Sequence, residues 1–384
     1  MKILFLTRWY PPYGGIFVER HAQAVALNHK LTVLAVLPGE SSSGTNPVID
    51  HPAVHREYTV VRYFYRPSLC RITCVASLVN LLRFFSRSVA GYRYLAKQGG
   101  SFDLVHVHIL TRAAVLAYFL NLVKGTPYII TEHWTRYIPE NHGFTGIIRK
   151  TFTRMILRRA AAATTVSNFL RSAMHDCGLD HKKFLIIPNV VDTGLFTIPG
   201  NDGNRNLKRI IHVSNFHERA KNIFGILRVI SILRIQRQDF EVLFVGGKEP
   251  FLENAKKYAS GLGLESPVVV FKERLPAPEI AAAYGEASFL LMFSNFESFS
   301  VVIPEALACG IPVVATSAGG IPEYFDSEAG RLVSPGDEPG LLESLSFMLD
   351  HCHTFDPNGL RSLVESRFGL NSVGRQFDDL YRSV

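Results

Sequence analysis

"FLLMFSNFESFSVVIPEALACGIPVVATSAGG", residues 289–320, is the stretch on which the fold turns. Its first six residues form a continuous run of strand length, and a second buried strand opens at "PVVAT", as expected of strands covered on both faces. Between them "VVIPEALACG", 301–310, reads as a helix closed by Gly310, with Pro304 in its first turn, where the absent N–H is of little consequence. Two strands running the same way on either side of a helix define a parallel sheet. Residues 295–299 are then the loop beyond a strand's carboxyl end, the edge on which open parallel sheets hold ligands.

Glu297 stands in that loop and Glu305 in the helix after it. If the helix starts near Ser300, its first N–H groups and positive dipole end attract phosphate oxygens. The two carboxylates accept hydrogen bonds from hydroxyls on either side of a diphosphate, which suits a molecule with a sugar, two phosphates and a ribose in line. Gly319 and Gly320 follow the second strand as a turn where backbone approaches a ligand with no Cβ in the way.

The same alternation runs outward in both directions. "KILFLT", "KLTVLAVLP", "FDLVHVHIL", "PYIITEHW" and "FLIIPNVV" are separated by helical patterns in the first half, and "KRIIHVSNF" at 208 restarts the series. Before it, "TIPGNDGNRN" at 197–206 has the composition of a joint. The fold class is therefore α/β with two Rossmann-like, doubly wound parallel-sheet domains. The expected boundaries are 1–185 and 186–365, with a terminal helix, 366–384, crossing back onto the first domain. A chain of 384 residues fits two domains that each bury a core.

Hydrophobic residues make up 47% and charged residues 19%, which excludes a disordered chain, and the net charge of +8 points to an anionic partner. Five cysteines with neither CxxC spacing nor partnered histidines favour neither a disulfide framework nor a zinc site, and fit a reducing, cytoplasmic setting. The apolar run after Met1 is too short for a signal peptide, and no stretch reaches the length of a membrane span. Residues 60–97 mix apolar and aromatic side chains with Arg62, Arg66, Arg71, Arg83, Arg87, Arg93 and Lys97 and contain no acid. That composition suits the surface of an anionic membrane, with Phe84 and Phe85 as apolar contacts, and also suits a solvated helix pair.

Taken with "YPPYGGIFVERHAQAVA" at 10–26, "TVSNF" at 165–169, "IPNVVDTGLF" at 187–196 and "HVSNFHERAKN" at 212–222, the 297–305 motif resembles the GT-B glycosyltransferases of family GT4 over essentially the whole chain. The resemblance implies two domains facing across a cleft and transfer of a sugar from a nucleotide diphosphate sugar to a glycan or lipid-linked hydroxyl, with retention. It assigns Glu297 to the donor sugar, Glu305 to the ribose, and the backbone near Phe299, Ser300 and Val301 to phosphate or sugar hydroxyls. Lys221 matches the cation beside the leaving diphosphate, and Gly14 and Gly15 match the glycine-rich loop. His133 matches the active-site histidine, ahead of His106 and His108.

Two positions depart from the pattern: Ser300 stands where the family has glycine, and Asn215 where it has arginine, a charge that Arg219 could replace. The resemblance further implies front-face attack with the departing phosphate taking the acceptor proton, hinge closure, no essential metal or other cofactor, and a base pocket near 272–275. A role in cell-surface polysaccharide or glycolipid synthesis follows from a lipid-linked acceptor. The alternatives are a nucleotide-sugar epimerase, which can share the GT-B fold, and a non-catalytic nucleotide-sugar-binding protein, which the Asn215 and Ser300 departures would suit; a glycan phosphorylase needs a larger chain, and no nucleic-acid-reading module is present.

Overall fold

The computed structural model describes residues 1–12, 14–39, 47–51, 57–110, 112–141, 143–200 and 207–384. Of the joint expected at 197–206, positions 201–206 lie outside the described residues. The chain forms two compact units, Met1–Val190 with Leu370–Val384, and Val191–Gly369.

In the first unit the strands are β1 (Lys2–Thr7), β2 (Lys30–Pro38), β3 (Val48–Asp50), β4 (Thr59–Tyr65), β5 (Leu104–His108), β6 (Tyr128–Glu132), β7 (Ala162–Thr165) and β8 (Phe184–Ile186). They lie in the order β3-β4-β2-β1-β5-β6-β7-β8, parallel except for β3, which runs antiparallel to β4. The second unit has β9 (Lys208–Ser214), β10 (Phe240–Gly246), β11 (Val269–Lys272), β12 (Phe289–Met292), β13 (Val313–Thr316) and β14 (Gly330–Val333), all parallel, in the order β11-β10-β9-β12-β13-β14. Both are doubly wound sheets, and in both the central strands are buried along their length because helices cover each face.

The first core joins Ile3, Phe5, Val33, Leu104 and Ile129 of the sheet to Val18 and Val25 of the helix Ile16–Ala26. The last helix, Leu370–Arg382, completes it: Val373, Phe377, Leu380 and Tyr381 are buried in that same core. Tyr381 also closes a polar chain inside the sheet. Its hydroxyl meets His106 Nδ1 at 2.7 Å, and His106 Nε2 meets Thr131 Oγ1 at 2.6 Å, which in turn meets Thr164 Oγ1 at 2.7 Å. His106 is thus a core residue whose ring nitrogens are both satisfied.

Residues 60–97 do not act as one surface segment. Thr59–Tyr65 is a strand paired with β2, so Val60, Val61, Tyr63 and Tyr65 belong to the interior. Arg62 is committed to Asp50 and to the Pro11 carbonyl at 3.0 Å. In the helix Thr73–Gly99 the buried positions are Phe84, Ser88, Gly91, Tyr92 and Leu95, a helical stripe facing the sheet. Phe84, at 1% exposure and edge-on to Tyr65, is part of the fold and cannot serve as a membrane contact. The large apolar residues that helix leaves outside are Val75, Leu78, Leu81 and Leu82, and the sequence pattern conceals a second outward pair, Ile147 and Ile148, opening the helix Ile147–Arg159.

Because Phe377 sits in the first core although it follows the second unit in sequence, Phe377→Ala is expected to destabilise the first unit by about 3–5 kcal/mol. Chemical denaturation followed by two probes, one in each unit, should show an early transition in the first unit and an unmoved one in the second.

Candidate active-site residues

Lys221 ends the short helix Glu218–Lys221, and the next residue, Asn222, turns the chain at φ 49° into the helix Ile223–Gln236, capping it through Oδ1 to Gly225 N at 3.2 Å. Asn295, in the loop after β12, fastens this turn: its N–H donates to Ala220 O at 2.8 Å and its Nδ2 to Arg219 O at 3.0 Å. That clamp brings Lys221 Nζ onto Glu297 Oε1, which also accepts Ser294 Oγ at 2.9 Å. Both contacts fall on one oxygen, and Oε2 has no hydrogen-bond partner among the described residues. At 8% exposure this side chain depends on its two donors, so removing either leaves a buried polar group short of a partner.

Gly319 fixes this loop from the other side. It adopts φ +59°, and a Cβ there would lie 1.8 Å from the Glu297 carbonyl oxygen, while the Gly320 N–H donates to the same oxygen at 3.2 Å. The glycine turn therefore allows close approach to the Glu297 backbone.

Phe299 contributes packing through its ring, which lies against Tyr324 and Phe368, and its carbonyl accepts the Tyr324 hydroxyl. Ser300 has φ 62°, the left-handed conformation that favours glycine, which gives a physical reason for the glycine usual there. Its Oγ is buried with no partner. The helix proper is Val302–Ala308, seven residues starting two positions after Ser300, with Val301 as an uncapped N-cap and Glu305 half-buried in the first turn. Asn215 Oδ1 accepts His217 N at 3.1 Å, so the residue standing in the arginine position shapes the turn.

Beyond the ends of β9, β10 and β11 is a cavity of about 330 Å³. Asn215, Lys248, Phe251, Arg274, Leu275 and Ile280 are among its lining residues, two of them in the segment expected to hold a base.

In the first unit, Gly15 is the left-handed N-cap of the helix Ile16–Ala26, where a Cβ would strike the Trp9 carbonyl at 2.4 Å; Gly14, at φ +96°, has open space around it. His133 follows β6. Its Nδ1 meets Asn189 Oδ1 at 3.1 Å, its Nε2 meets His108 Nδ1 at 3.2 Å, and Phe17 lies 4.4 Å from its ring centre. His21 approaches both histidines and is held through Nε2 to the Pro188 carbonyl at 3.0 Å. Burial holds His108 and His133 well below the usual histidine range and lowers His21 to about 4, with the neighbouring rings adding to the effect on His108 and His133. All three are neutral at pH 7.

Glu132, left without a role by the sequence, is the organiser of this edge. Oε1 accepts the N–H groups of His133 and Trp134 at 2.9 Å each, while Oε2 accepts Leu110 N at 3.0 Å and the Tyr137 hydroxyl at 3.1 Å. Burial raises its pKa against the pull of those backbone donors. One carboxylate thus ties the loop after β5 to the loop after β6.

His21, His108 and His133 each offer a ring nitrogen within 4.8 Å of the other two, a grouping that no sequence spacing announces and that has the ligand chemistry of a divalent cation site. The His108–His133 hydrogen bond already occupies two of the ring atoms, so a metal would have to displace it.

The family models Glycosyltransferase Family 4 and Glycosyl transferases group 1 match residues 17–195 and 207–351. The MMP alpha-(1->4)-mannosyltransferase of Mycolicibacterium hassiacum is 30% identical over 321 residues, covering 77% of this chain and 74% of that one. The chain belongs to glycosyltransferase family 4. Another relative of this glycosyltransferase, the N-acetyl-alpha-D-glucosaminyl L-malate synthase of Bacillus anthracis, is 24% identical over 75% of this chain and 76% of its own. Its fold is that of sucrose-phosphate synthase from Thermosynechococcus elongatus (TM-score 0.79, 18% identity, 100% and 98% of the two chains) and of Anabaena HepE in complex with UDP and glucose (TM-score 0.73, 18% identity, 100% of each).

Among the residues named from sequence, the glycosyltransferase gathers Lys221 and Glu297 into direct contact in the second unit, whereas His133, Gly14 and Gly15 belong to the first. Asn189, His21, His108 and Glu132 were not singled out as site residues, although the "IPNVV" motif contains Asn189 and the alternating "VHVH" contains His108.

The buried histidines set an acid limit. A histidine neutral in the folded state and ordinary when unfolded contributes stability that is complete above about pH 6.5 and is lost as pH falls below it toward the lowered folded-state value. His21, His106, His108 and His133 do so in the first unit, and His212, lowered to about 4, does so in the second. Each proton taken up on unfolding costs about 1.4 kcal/mol per pH unit. Denaturant titrations at pH 7, 6 and 5 should show the first unit weakening several times more steeply than the second.

Proposed function

We propose that this glycosyltransferase moves a sugar from a nucleotide diphosphate sugar to a hydroxyl of a lipid-linked or glycan acceptor, with retention of configuration. The observation that carries the reading is the Lys221–Glu297 pair, formed in the same unit whose strands β9, β10 and β11 end at a cavity of about 330 Å³. Breaking the glycosidic phosphate bond adds negative charge to the leaving diphosphate and positive charge to the sugar ring. Lys221, already partly desolvated and fixed by the Asn295 clamp, supplies a preorganised cation for the first. As the diphosphate takes up that cation, Glu297 turns its acceptors to sugar hydroxyls, while Glu305 binds the ribose and the backbone at 299–301, with the unpartnered Ser300 Oγ, binds phosphate or sugar oxygens. The nucleoside enters the cavity lined by Phe251 and Ile280.

His133 is neutral and positioned by Asn189, which suits hydrogen bonding to donor or acceptor and does not suit service as a cation. No second carboxylate is assigned as a nucleophile; the departing phosphate takes the acceptor proton in a front-face attack. The reaction needs no metal in this reading. Arg219 adds positive charge near the diphosphate.

The unit also contacts an anionic membrane, in this reading through the outward residues Leu78, Leu82, Ile147 and Ile148, with Arg149 and Lys150 beside the isoleucines. No helix among the described residues is long and apolar enough to cross a membrane.

A thermal-shift panel of UDP, GDP, ADP and their sugars should show stabilisation by one nucleotide series, abolished by Ile280→Trp. Lys221→Ala should cut turnover by about 10²–10³-fold with nucleotide binding retained, and unchanged turnover would refute its role. Activity should survive prolonged treatment with EDTA. Replacing Ile147 and Ile148 together by serine should lower partitioning onto phosphatidylglycerol vesicles at least tenfold.

A further inference from the structure

Three helices of the first unit, Thr73–Gly99, Arg112–Lys124 and Ile147–Arg159, surround a cavity of about 540 Å³. Leu82, Phe85, Phe119 and Phe152 give it apolar walls. Its charged lining is of one sign: Arg8 follows β1, Arg136 lies in the turn after β6, Arg112 opens one helix and Arg149 another, and no acidic side chain lines it among the described residues.

Arginines gathered against an apolar wall repel one another and lose hydration, so such a grouping is costly unless an anion completes it. The local partners fall short of that. Arg8 lies over the Trp9 ring at 4.7 Å and Arg136 over the Trp134 ring at 3.6 Å, yet the buried Nε of each has no hydrogen-bond partner. Burial lowers the pKa of both, Arg112 pushing further on Arg8, and Arg149 and Arg8 on Arg136; Tyr65 opposes at Arg8, and Tyr137 and Glu132 oppose at Arg136. Glu132 is itself occupied by four donors. Arg149 donates to the Gly143 carbonyl at 3.1 Å and keeps an exposed guanidinium.

We infer that this cavity binds a single-chain lipid phosphate, its phosphate monoester or diphosphate on the arginines and the start of its hydrocarbon chain along the phenylalanine and leucine wall. An inorganic anion would use the charges and leave the wall bare, and an uncharged amphiphile the reverse; only the joined chemistry uses both. The size lies within the range of pockets that enclose a small ligand. The inference rests on the reading of a lipid-linked acceptor and narrows it: the carrier is recognised by its phosphate and first carbons, at the membrane-facing helices that would deliver it.

The chain has two tryptophans, and they are the rings under Arg8 and Arg136, 4.9 Å from each other, so intrinsic fluorescence reports on the site directly. Dodecyl phosphate below its micellar concentration is expected to change tryptophan emission saturably and to bind at least tenfold tighter than inorganic pyrophosphate or dodecyl maltoside. Arg136→Gln should weaken it at least tenfold, and the exposed Arg149→Gln, which carries little risk to folding, about three- to tenfold. Equal binding by pyrophosphate or by dodecyl maltoside would overturn the inference, as would wild-type affinity in both variants. Equal binding of dihexanoyl phosphatidylglycerol would overturn the assignment to a phosphate monoester or diphosphate. Nucleotide binding to the wild-type protein separates the two readings: a protein that takes UDP or GDP but not dodecyl phosphate refutes the cavity alone, and the opposite result refutes glycosyl transfer and spares the cavity.

Discussion

All strands of a parallel sheet finish on one edge, and at that edge the backbone leaves the ladder with its N–H groups unserved. This chain meets the requirement with side chains, and the residues of chemical interest are built on that solution. Glu132 takes up three N–H groups where β5 and β6 end. Asn295 holds the turn carrying Lys221 to the loop carrying Glu297, and the Thr316 hydroxyl donates to the Ser294 carbonyl at 2.6 Å, steadying the residue that hydrogen-bonds Glu297. Satisfying the backbone and positioning the functional groups are one task.

Charge is treated differently at three places on those edges. The carboxylate of Glu297 is paired with an ammonium and a hydroxyl. The histidines around His133 are kept neutral by burial, and so behave as hydrogen-bonding rings through the physiological range. The guanidinium groups of Arg8 and Arg136 remain charged, with aromatic faces beneath them and an unmatched Nε each. The first arrangement is electrically complete, the second has no charge to complete, and the third is left open.

The parallel architecture was legible because it depends on continuous apolar runs such as 3–6 and 289–293, whose period is a local property of the chain. Glu297 and Lys221 were legible through their motifs, and their contact was not, since it is made by a clamp from Asn295 across 74 or more residues. Ser300 looked like a lost glycine; its positive φ explains why glycine is usual there, a fact carried by the backbone alone. The surface assignment of residues 60–65 and Phe84 failed because an apolar, basic composition describes a strand next to a helix as well as it describes a membrane face. Ile147 and Ile148 passed as ordinary helix residues, since nothing local says which side of a helix a sheet will cover. The histidine trio comes from a helix, a strand and a loop, and only tertiary structure could assemble it.

The terminal helix gives the chain an unusual order of assembly. Val191 donates to the Phe368 carbonyl at 2.9 Å and bridges Gly369, so the second unit begins and ends on adjoining segments of chain and is, in chain order, an insertion in the first. During synthesis the inserted unit is whole once Gly369 has emerged from the ribosome. The unit begun first must wait for Phe377 and Tyr381, made after the whole of the inserted unit, before its interior closes. A chain released between Gly369 and Phe377 would therefore carry a finished insert on an unfinished host.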